Sequence, residues 1–161
     1  MKKLFSILLA LFLLASLSGC IVFHHKALAL DGQAPVISVE LYDLPWMSPW
    51  ELPEFLSSAA EASRPVARLP EERTQDCMDE LRTWVYNDGI LLLPVAQDAN
   101  REFSGYAVKV TYENGNWEMV SYDLVAWYDG KQMSSKTGGI PDDVWDPFLM
   151  EYFAVDSHPR R

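Results

Sequence analysis

The sequence predicts an α+β fold, in which an antiparallel sheet with a long hairpin is covered by two or three helices on one face. Two patterns carry this prediction. Apolar and polar residues alternate on both sides of Asn114-Gly115, which is typical of a β-hairpin. In two other segments apolar residues recur every three or four positions, as they do on amphipathic helices. The predicted order β, α, α, β, β, β, α favours antiparallel pairing, because strands and helices do not alternate regularly.

The first strand is predicted over residues 36–42, which are rich in β-branched and apolar side chains. A helix follows, and two starts fit the sequence. Ser48 and Glu51 match a capping box with Pro49 at the first helical position. A helix that begins there would lose an internal hydrogen bond at Pro53, so a start at Pro53 is an equal alternative.

A second helix is predicted after a loop over residues 63–73, with Thr74 as its N-terminal cap and Asp76 near its positive end. It is predicted to end at Gly89, because glycine suits the left-handed conformation that follows many helices. Its apolar face is predicted to consist of Cys77, Met78, Leu81, Trp84 and Val85.

The hairpin strands are predicted over residues 106–112 and 117–128. A two-residue Asn-Gly turn would place Tyr112 opposite Trp117, so that one face of the hairpin is aromatic and apolar. The alternation is interrupted at residues 121–123, which predicts a β-bulge in the returning strand.

Three further elements complete the prediction. Residues 90–96 form a short apolar run, read as an edge or bulged strand because it contains a proline. Residues 129–139 are expected to be a polar loop. A final helix begins at Pro141 or at Pro147 and ends near Val155. Its buried face is predicted to be Val144, Trp145, Phe148, Leu149, Tyr152 and Phe153.

The N-terminus has the three parts of a secretory signal: Lys2 and Lys3, an apolar stretch over residues 4–17, and small residues at the boundary. The apolar stretch is too short to cross ~30 Å of hydrocarbon, which takes about 20 residues. The sequence Leu17-Ser18-Gly19-Cys20 resembles the lipobox of bacterial lipoproteins, and the resemblance covers these first twenty residues.

The lipobox resemblance implies that signal peptidase II removes residues 1–19 and that Cys20 carries a diacylglyceryl group and, on its amino group, a fatty acid such as palmitate. Two or three acyl chains anchor a protein stably to a bilayer. Because Ile21 stands where an aspartate retains such lipoproteins in the inner membrane, the expected location is the periplasmic face of the outer membrane. Residues 20–35 are expected to be the lipidated cysteine and a tether, and residues 36–161 a single globular domain.

The charge of the chain excludes some partners. Removal of residues 1–19 leaves 142 residues and changes the formal charge from −10 to −12, because the signal contains two lysines and no acids. Such a surface disfavours nucleic acids and anionic lipid headgroups and favours a basic protein partner.

The sequence contains no recognisable catalytic, metal or cofactor motif. Of its three histidines, His24 and His25 lie in the expected tether and His158 lies in the tail, so neither a catalytic triad nor a zinc site is expected. Two acidic clusters are interpreted as residues at helix N-termini. They are Asp142, Asp143 and Asp146 in one, and Asp76, Asp79 and Glu80 in the other.

Three residue positions invite a choice between a structural and a functional interpretation. With Cys20 lipidated, Cys77 has no partner for an intramolecular disulfide and is expected to be a small buried apolar residue. Trp46 and Trp50 lie on a segment stiffened by prolines, where they could anchor a partner. Burial of both rings in the core is the favoured interpretation. The candidate binding residues are Trp46, Trp50, Asp142 and Asp143.

The expected function is therefore that of a membrane-anchored periplasmic lipoprotein that binds a protein, as an inhibitor or an immunity-type lipoprotein, and is not an enzyme. The alternative is a structural accessory lipoprotein of an envelope assembly or secretion machine. The expected partners are the membrane, through the lipid on Cys20, and an envelope protein with a basic surface.

Overall fold

The computed structural model describes residues 23–88 and 103–156. Three α-helices lie in this part of the chain: α1 (Leu52–Ser57), α2 (Glu71–Leu81) and α3 (Asp142–Phe153). Short 3-10 helices lie at Pro49–Glu51 and Glu61–Ser63. The strands are β1 (Phe23–Lys26), β2 (Val36–Met47), β3 (Ala67–Arg68), β4 (Val85–Asp88), β5 (Phe103–Tyr112), β6 (Trp117–Ser121), β7 (Leu124–Tyr128) and β8 (Met133–Thr137).

Six of the strands form one antiparallel sheet in the order β3-β2-β5-β6-β7-β8. Strands β1 and β4 form a separate antiparallel pair, and a bridge between Asn87 and Gly139 joins this pair to the chain after β8. The predicted α+β class with an antiparallel sheet is confirmed.

The larger core lies between one face of the sheet and the helices α2 and α3. Cys77 and Leu81 of α2 and Phe148 of α3 are buried there against sheet residues such as Val108 and Val110. Trp84, just after α2, lies edge-on to Phe148 with ring centroids 4.6 Å apart. Burial of these side chains provides the main stabilisation of the fold, since each large apolar side chain contributes roughly 1.5–3 kcal/mol. The prediction of helices on one face is confirmed for α2 and α3, which both cover this face.

A smaller core lies on the opposite face of the sheet, where α1 packs. Leu52 is fully buried there among Tyr42, Met119 and Ala126, and Phe55 is partly buried at its edge. The apolar side chains of β2 and β5 alternate between the two cores, so the central strands are covered on both faces.

The predicted tether is wrong for residues 23–30. Strand β1 pairs with β4, and the side chains of Ala27, Leu28 and Leu30 are at most 5% exposed. These apolar residues lack a helical or strand period, so the sequence pattern does not reveal their burial. Pairing with β4, far away in sequence, places them in the core.

The hairpin prediction is right about the strands and wrong about their register. Thr111, not Tyr112, lies opposite Trp117, because the turn contains three residues instead of two. The N–H of Tyr112 donates to the carbonyl of Asn116 at 2.9 Å, and Gly115 adopts a φ of 83°. This is the three-residue hairpin loop with a left-handed residue at its end. A slip of one residue moves each side chain of one strand to the other face, so the predicted aromatic face does not form.

Two predictions for the chain after the hairpin are also wrong. The irregularity at residues 121–123 is not a bulge but a two-residue turn, after which β7 pairs back onto β6 with Val120 opposite Val125. The predicted polar loop over 129–139 contains β8, which pairs with β7. Serine, threonine and lysine dominate β8, so its sequence lacks the apolar alternation of the other strands.

The helix predictions differ from the structure mainly at the helix ends. Helix α2 begins at Glu71, three residues before the predicted cap Thr74, and ends at Leu81 instead of near Gly89. Strand β4 follows, so Val85 is not part of a helical face and is 43% exposed. The expected burial of Trp84 is confirmed, at 5% exposure.

The first and the last predicted helix each have two alternative starts at prolines. The capping pair is confirmed, since the Glu51 carboxylate accepts the N–H of Ser48 at 2.6 Å, but the helix that begins at Pro49 is a 3-10 turn. Regular α-helix begins only at Leu52. The last helix begins directly after Pro141 and accommodates Pro147 in its interior.

Some sequence predictions lie outside the described residues: the lipobox with Cys20, the strand over 90–96 and His158. Among the helices of the described segments, none combines the length and the apolar character needed to cross a bilayer.

Candidate functional site

The strongest candidate for a binding surface is the tryptophan segment, defined here as residues 45–50. Trp46 is 71% exposed and Trp50 is 50% exposed, whereas tryptophan is usually among the well-buried residues. The interpretation that both rings fold back into the core is wrong, and the alternative of exposed aromatic side chains is the one observed.

The exposure of Trp46 follows from a bulge in β2. The ladder with β5 is regular up to Leu44 opposite Gly105 and is interrupted before the next pair, Met47 opposite Phe103. Pro45 lies in this interruption and has no N–H to donate to a ladder. The extra residue in β2 turns the strand locally, and bulges of this kind redirect side chains. Trp46 therefore points away from the core that receives its neighbour Met47.

Two buried residues within the tryptophan segment hold its backbone in place. Met47 is 7% exposed, and Pro49 is buried at the start of the 3-10 turn. The carboxylate of Glu51 accepts the N–H of Ser48 at 2.6 Å, and the carbonyl of Ser48 accepts the N–H of Glu51 at 3.0 Å. The middle of the segment and its C-terminal end are therefore held in place while its aromatic rings stay exposed.

The charge around the tryptophan segment is negative. The chain has no lysine or arginine from residue 27 to residue 63, and this stretch contains six acidic residues. Three of them, Asp43, Glu51 and Glu54, flank the segment closely in sequence and are exposed. An exposed aromatic surface with acidic neighbours suits a partner that offers apolar and basic side chains.

The other two candidate binding residues are not brought to this segment. Asp142 and Asp143 lie in the first turn of α3, as predicted, and α3 covers the face of the sheet opposite to α1. The negative charge of Asp142 raises the pKa of the Tyr122 hydroxyl. The position of these aspartates fits a helix start, where carboxylates stabilise the helix dipole.

The second acidic cluster is not at a helix N-terminus. Because α2 begins at Glu71, Asp79 lies in its last turns and forms an ion pair with Arg82 at 2.6 Å. Arg82 also forms an ion pair with Asp31 at 3.1 Å. These ion pairs connect the end of α2 to the N-terminal segment, defined here as residues 23–35. The first turn carries Glu71 and Glu72 instead.

The sequence interpretation missed a buried carboxylate. Glu118 is fully buried and accepts the Tyr112 hydroxyl and the backbone N–H groups of Ala29 and Leu30. Burial raises the pKa of Glu118, and the three hydrogen bonds act in the opposite direction. The only sequence signal was the alternation around Glu118, and the wrong register assigned it to the exposed face.

A second feature that the sequence did not reveal is a partly buried cation, Lys109, on the opposite face of the hairpin. The Nζ of Lys109 lies 5.8 Å from the ring centroid of Tyr42 and 5.9 Å from that of Trp117. Trp117 in turn stacks on Tyr128 with centroids 6.1 Å apart. Burial lowers the pKa of Lys109, whereas the negative charge of Glu40 raises it.

Cys77 is buried, as predicted, at 0% exposure in the larger core. Burial raises the pKa of its thiol to about 12, with the charge of Glu80 acting in the same direction. A thiol in this state is a poor nucleophile and a poor metal ligand. Within residues 23–88 and 103–156, no three histidine, cysteine or acidic side chains are arranged to hold a metal ion.

The chain was compared with models of known protein families, with curated proteins and with solved structures. None of the three comparisons finds a match.

Proposed function

We propose that this chain is a membrane-anchored, non-catalytic binding module of the bacterial cell envelope, which captures a protein partner as an inhibitor or an immunity-type lipoprotein does. The observation that carries the proposal is the 71% exposure of Trp46 on a segment that the buried Met47 and the hydrogen bond between Ser48 and Glu51 hold in place. The partner is a protein with a basic and partly apolar surface.

The tryptophan segment is suited to binding because little conformational entropy is lost when it docks to a partner. Tryptophan is one of the three residue types most enriched among binding hot spots, where truncation to alanine costs about 2 kcal/mol or more. Trp46 and Trp50 lie on a backbone that the bulge and the 3-10 turn already hold in place. Less conformational freedom is lost on docking to such a segment than to a flexible loop.

The charge of the chain supports a basic partner. The formal charge of the mature chain is −12, and the stretch that contains the tryptophan segment has no basic residue between 27 and 63. Complementary charge accelerates association more than it strengthens a complex, and its effect decreases with salt. A tight complex therefore needs the apolar contacts of the tryptophans as well.

The proposed anchor places the folded domain close to a membrane. Two residues separate Cys20 from β1, which begins at Phe23. A chain of three residue steps spans about 10 Å at most. A lipid on Cys20 would thus hold the folded domain against the bilayer, with little freedom to reach distant targets.

The binding proposal is tested by affinity capture from envelope extract with the lipidated mature chain at low and high salt. We expect one basic partner that is recovered at low salt and lost at high salt. The double variant Trp46→Ala/Trp50→Ala should lose it, and Met150→Ala, which truncates another exposed apolar residue at 54% exposure, should retain it. Equal recovery with the tryptophan variant would contradict the proposal. Salt-resistant recovery of several envelope proteins would favour the structural accessory lipoprotein.

The anchor is tested separately. Cells that express the chain are grown with labelled palmitate, and their membranes are separated on a density gradient. We expect label on the wild-type chain in the outer-membrane fraction and none on Cys20→Ser. Label that persists in the variant, or a wild-type chain without label, would disprove lipidation at this cysteine.

A further inference from the structure

A cleft of about 250 Å³ opens between the N-terminal segment and the strands β7 and β8. None of its lining residues belongs to the tryptophan segment. Its polar lining consists of His25, Lys26 and Lys136, and its apolar walls include Leu28, Val125 and Trp127. Part of this cleft is formed by β1, the strand that the sequence interpretation assigned to the tether.

The charge of the cleft is opposite to that of the chain. The sequence has 23 acidic and 13 basic residues, yet no aspartate or glutamate of the described segments lines the cleft. Arg68, Arg73 and Arg82 each form an ion pair with a carboxylate. Lys26 and Lys136, by contrast, are exposed and form no ion pair within residues 23–88 and 103–156.

The wall that carries His25 is rigid. Its imidazole stacks on the ring of Tyr86, with centroids 5.2 Å apart and an angle of 6° between the planes. The Tyr86 hydroxyl donates to the carbonyl groups of Ser121 and Leu124 and fixes that ring in the core. On the other side, a Cβ at Gly138 would lie only 3.2 Å from Cε1 of His25.

Lys136 is placed at the cleft by the pairing of the last two strands. It lies opposite Val125 in the ladder between β7 and β8, so both side chains project from the same face of the sheet. Trp127 follows two residues after Val125 and shares that face. The ammonium group of Lys136 is thus attached next to an aromatic wall, and Lys26 approaches from β1.

We propose that this cleft binds the phosphoryl group of a phosphate ester. A phosphoryl group offers several acceptor oxygens and a negative charge, which the ammonium groups of Lys26 and Lys136 match. The volume is below the roughly 300–1,000 Å³ of sites for drug-sized ligands, so it suits a small headgroup. The Trp127 ring supplies an apolar surface for the carbon atoms of the ester.

Two sources of such an ester fit the position of the cleft. Lys26 follows Cys20 by six residues, which corresponds to at most about 20 Å of extended chain. If Cys20 is lipidated, as the proposed function holds, phospholipid headgroups lie within reach of the cleft. The other source is a soluble phosphate ester, and binding of that ligand does not depend on the anchor.

The proposal is tested by calorimetric titration of the full chain, in non-ionic detergent and at constant ionic strength, with glycerol 3-phosphate. We expect saturable binding that weakens at least about tenfold in Lys26→Gln and in Lys136→Gln, because each removes a charge-assisted hydrogen bond. Lys131→Gln is the matched control, since Lys131 is equally exposed but lies in the turn before β8. Absence of saturable binding, or equal weakening by the control, would overturn the proposal.

A vesicle experiment identifies the source of the ester. The full chain with Cys20→Ser is sedimented with phosphatidylcholine vesicles that either contain phosphatidylglycerol or lack it. Retention that requires phosphatidylglycerol and is lost in Lys136→Gln supports a lipid headgroup as the ligand. Binding of glycerol 3-phosphate without such retention supports a soluble ester. If palmitate labelling of Cys20 fails while glycerol 3-phosphate still binds, the anchor is wrong and the phosphoryl site stands.

Discussion

The hydroxyl of Tyr112 donates a hydrogen bond to the carboxylate of Glu118 across the turn of the β5–β6 hairpin, inside the core. The other carboxylate oxygen accepts the backbone N–H of Leu30 at 3.2 Å, and that of Ala29 as well. One buried side chain thus joins the hairpin to the N-terminal segment. This segment forms part of the phosphoryl cleft, so the carboxylate also supports the proposed site indirectly.

Removal of the Glu118 carboxylate should destabilise the domain strongly. In Glu118→Ala the Tyr112 hydroxyl and two backbone N–H groups lose their acceptor, and a cavity forms. We expect the free energy of unfolding to fall by about 3 kcal/mol, since each unsatisfied buried group costs roughly 1–3 kcal/mol. Urea unfolding followed by tryptophan fluorescence measures the change. The matched control is Glu113→Ala, on the exposed turn, and a similar small effect in both variants would refute this role.

The same carboxyl group should make stability depend on pH. Burial raises the pKa of Glu118 in the folded state above its value in the unfolded chain. The folded protein therefore binds more protons in that range, and stability falls as pH rises from the unfolded pKa through the folded pKa. We expect the stability of wild type relative to Glu118→Gln to be greatest below about pH 4 and to decline as pH rises. Urea unfolding across this range measures it, and a relative stability that increases with pH would contradict the sign.

In the hairpin, local sequence patterns predict the two strands but not their register. Alternation and Asn114-Gly115 correctly predict two antiparallel strands, because both signals are local. The register depends on whether the turn holds two or three residues, and Gly115 suits both. The sequence pattern therefore predicts that Glu118 faces solvent. The backbone N–H groups that donate to its carboxylate belong to residues 29 and 30, which lie almost ninety positions away.

The tryptophan segment and the cleft also depend on contacts between residues that are far apart in the sequence. Prolines predict a stiff segment around Trp46, but the direction of its ring depends on a bulge before the pair Met47 and Phe103. The cleft at Lys136 combines β1 with two strands from the other end of the chain. Neither arrangement has a local signal, whereas the start of α3 at Pro141 has one and is among the two starts that the sequence predicts.

Two tryptophan truncations should separate binding from stability. Trp46→Ala removes a ring that is 71% exposed, and we expect the free energy of unfolding to change by less than about 0.5 kcal/mol. Trp84→Ala removes a ring that is 5% exposed and packs on Phe148, and we expect a loss of about 3–5 kcal/mol. Chemical denaturation of both variants measures the difference. A large loss in Trp46→Ala would show that this ring stabilises the fold.

The thiol of Cys77 should be unreactive until the protein unfolds. Its pKa is raised to about 12 by burial, and an unperturbed thiol has a pKa of about 8.5, so the thiolate is depleted by about three orders of magnitude. In the Cys20→Ser chain, which keeps this single thiol, we expect labelling with a disulfide reagent at pH 8 to be at least about a thousandfold slower in the folded than in the urea-unfolded state. Comparable rates would mean that the thiol is accessible.

The close packing around His25 and Tyr86 can be tested by substitution of two neighbouring glycines. A Cβ at Gly138 would lie 2.7 Å from Cβ of Tyr86, closer than van der Waals contact allows, whereas a Cβ at Gly139 would meet no atom within 4 Å. We expect Gly138→Ala to lower the free energy of unfolding by about 1–3 kcal/mol, as overpacked cores do, and Gly139→Ala to be nearly neutral. Because the added Cβ would also lie 3.2 Å from Cε1 of His25 and press on the strand that carries Lys26, the first variant should weaken glycerol 3-phosphate binding and the second should not. Equal stability of the two variants in urea would show that the chain after β8 can move away from Tyr86 without cost, and that the cleft is not held by this contact.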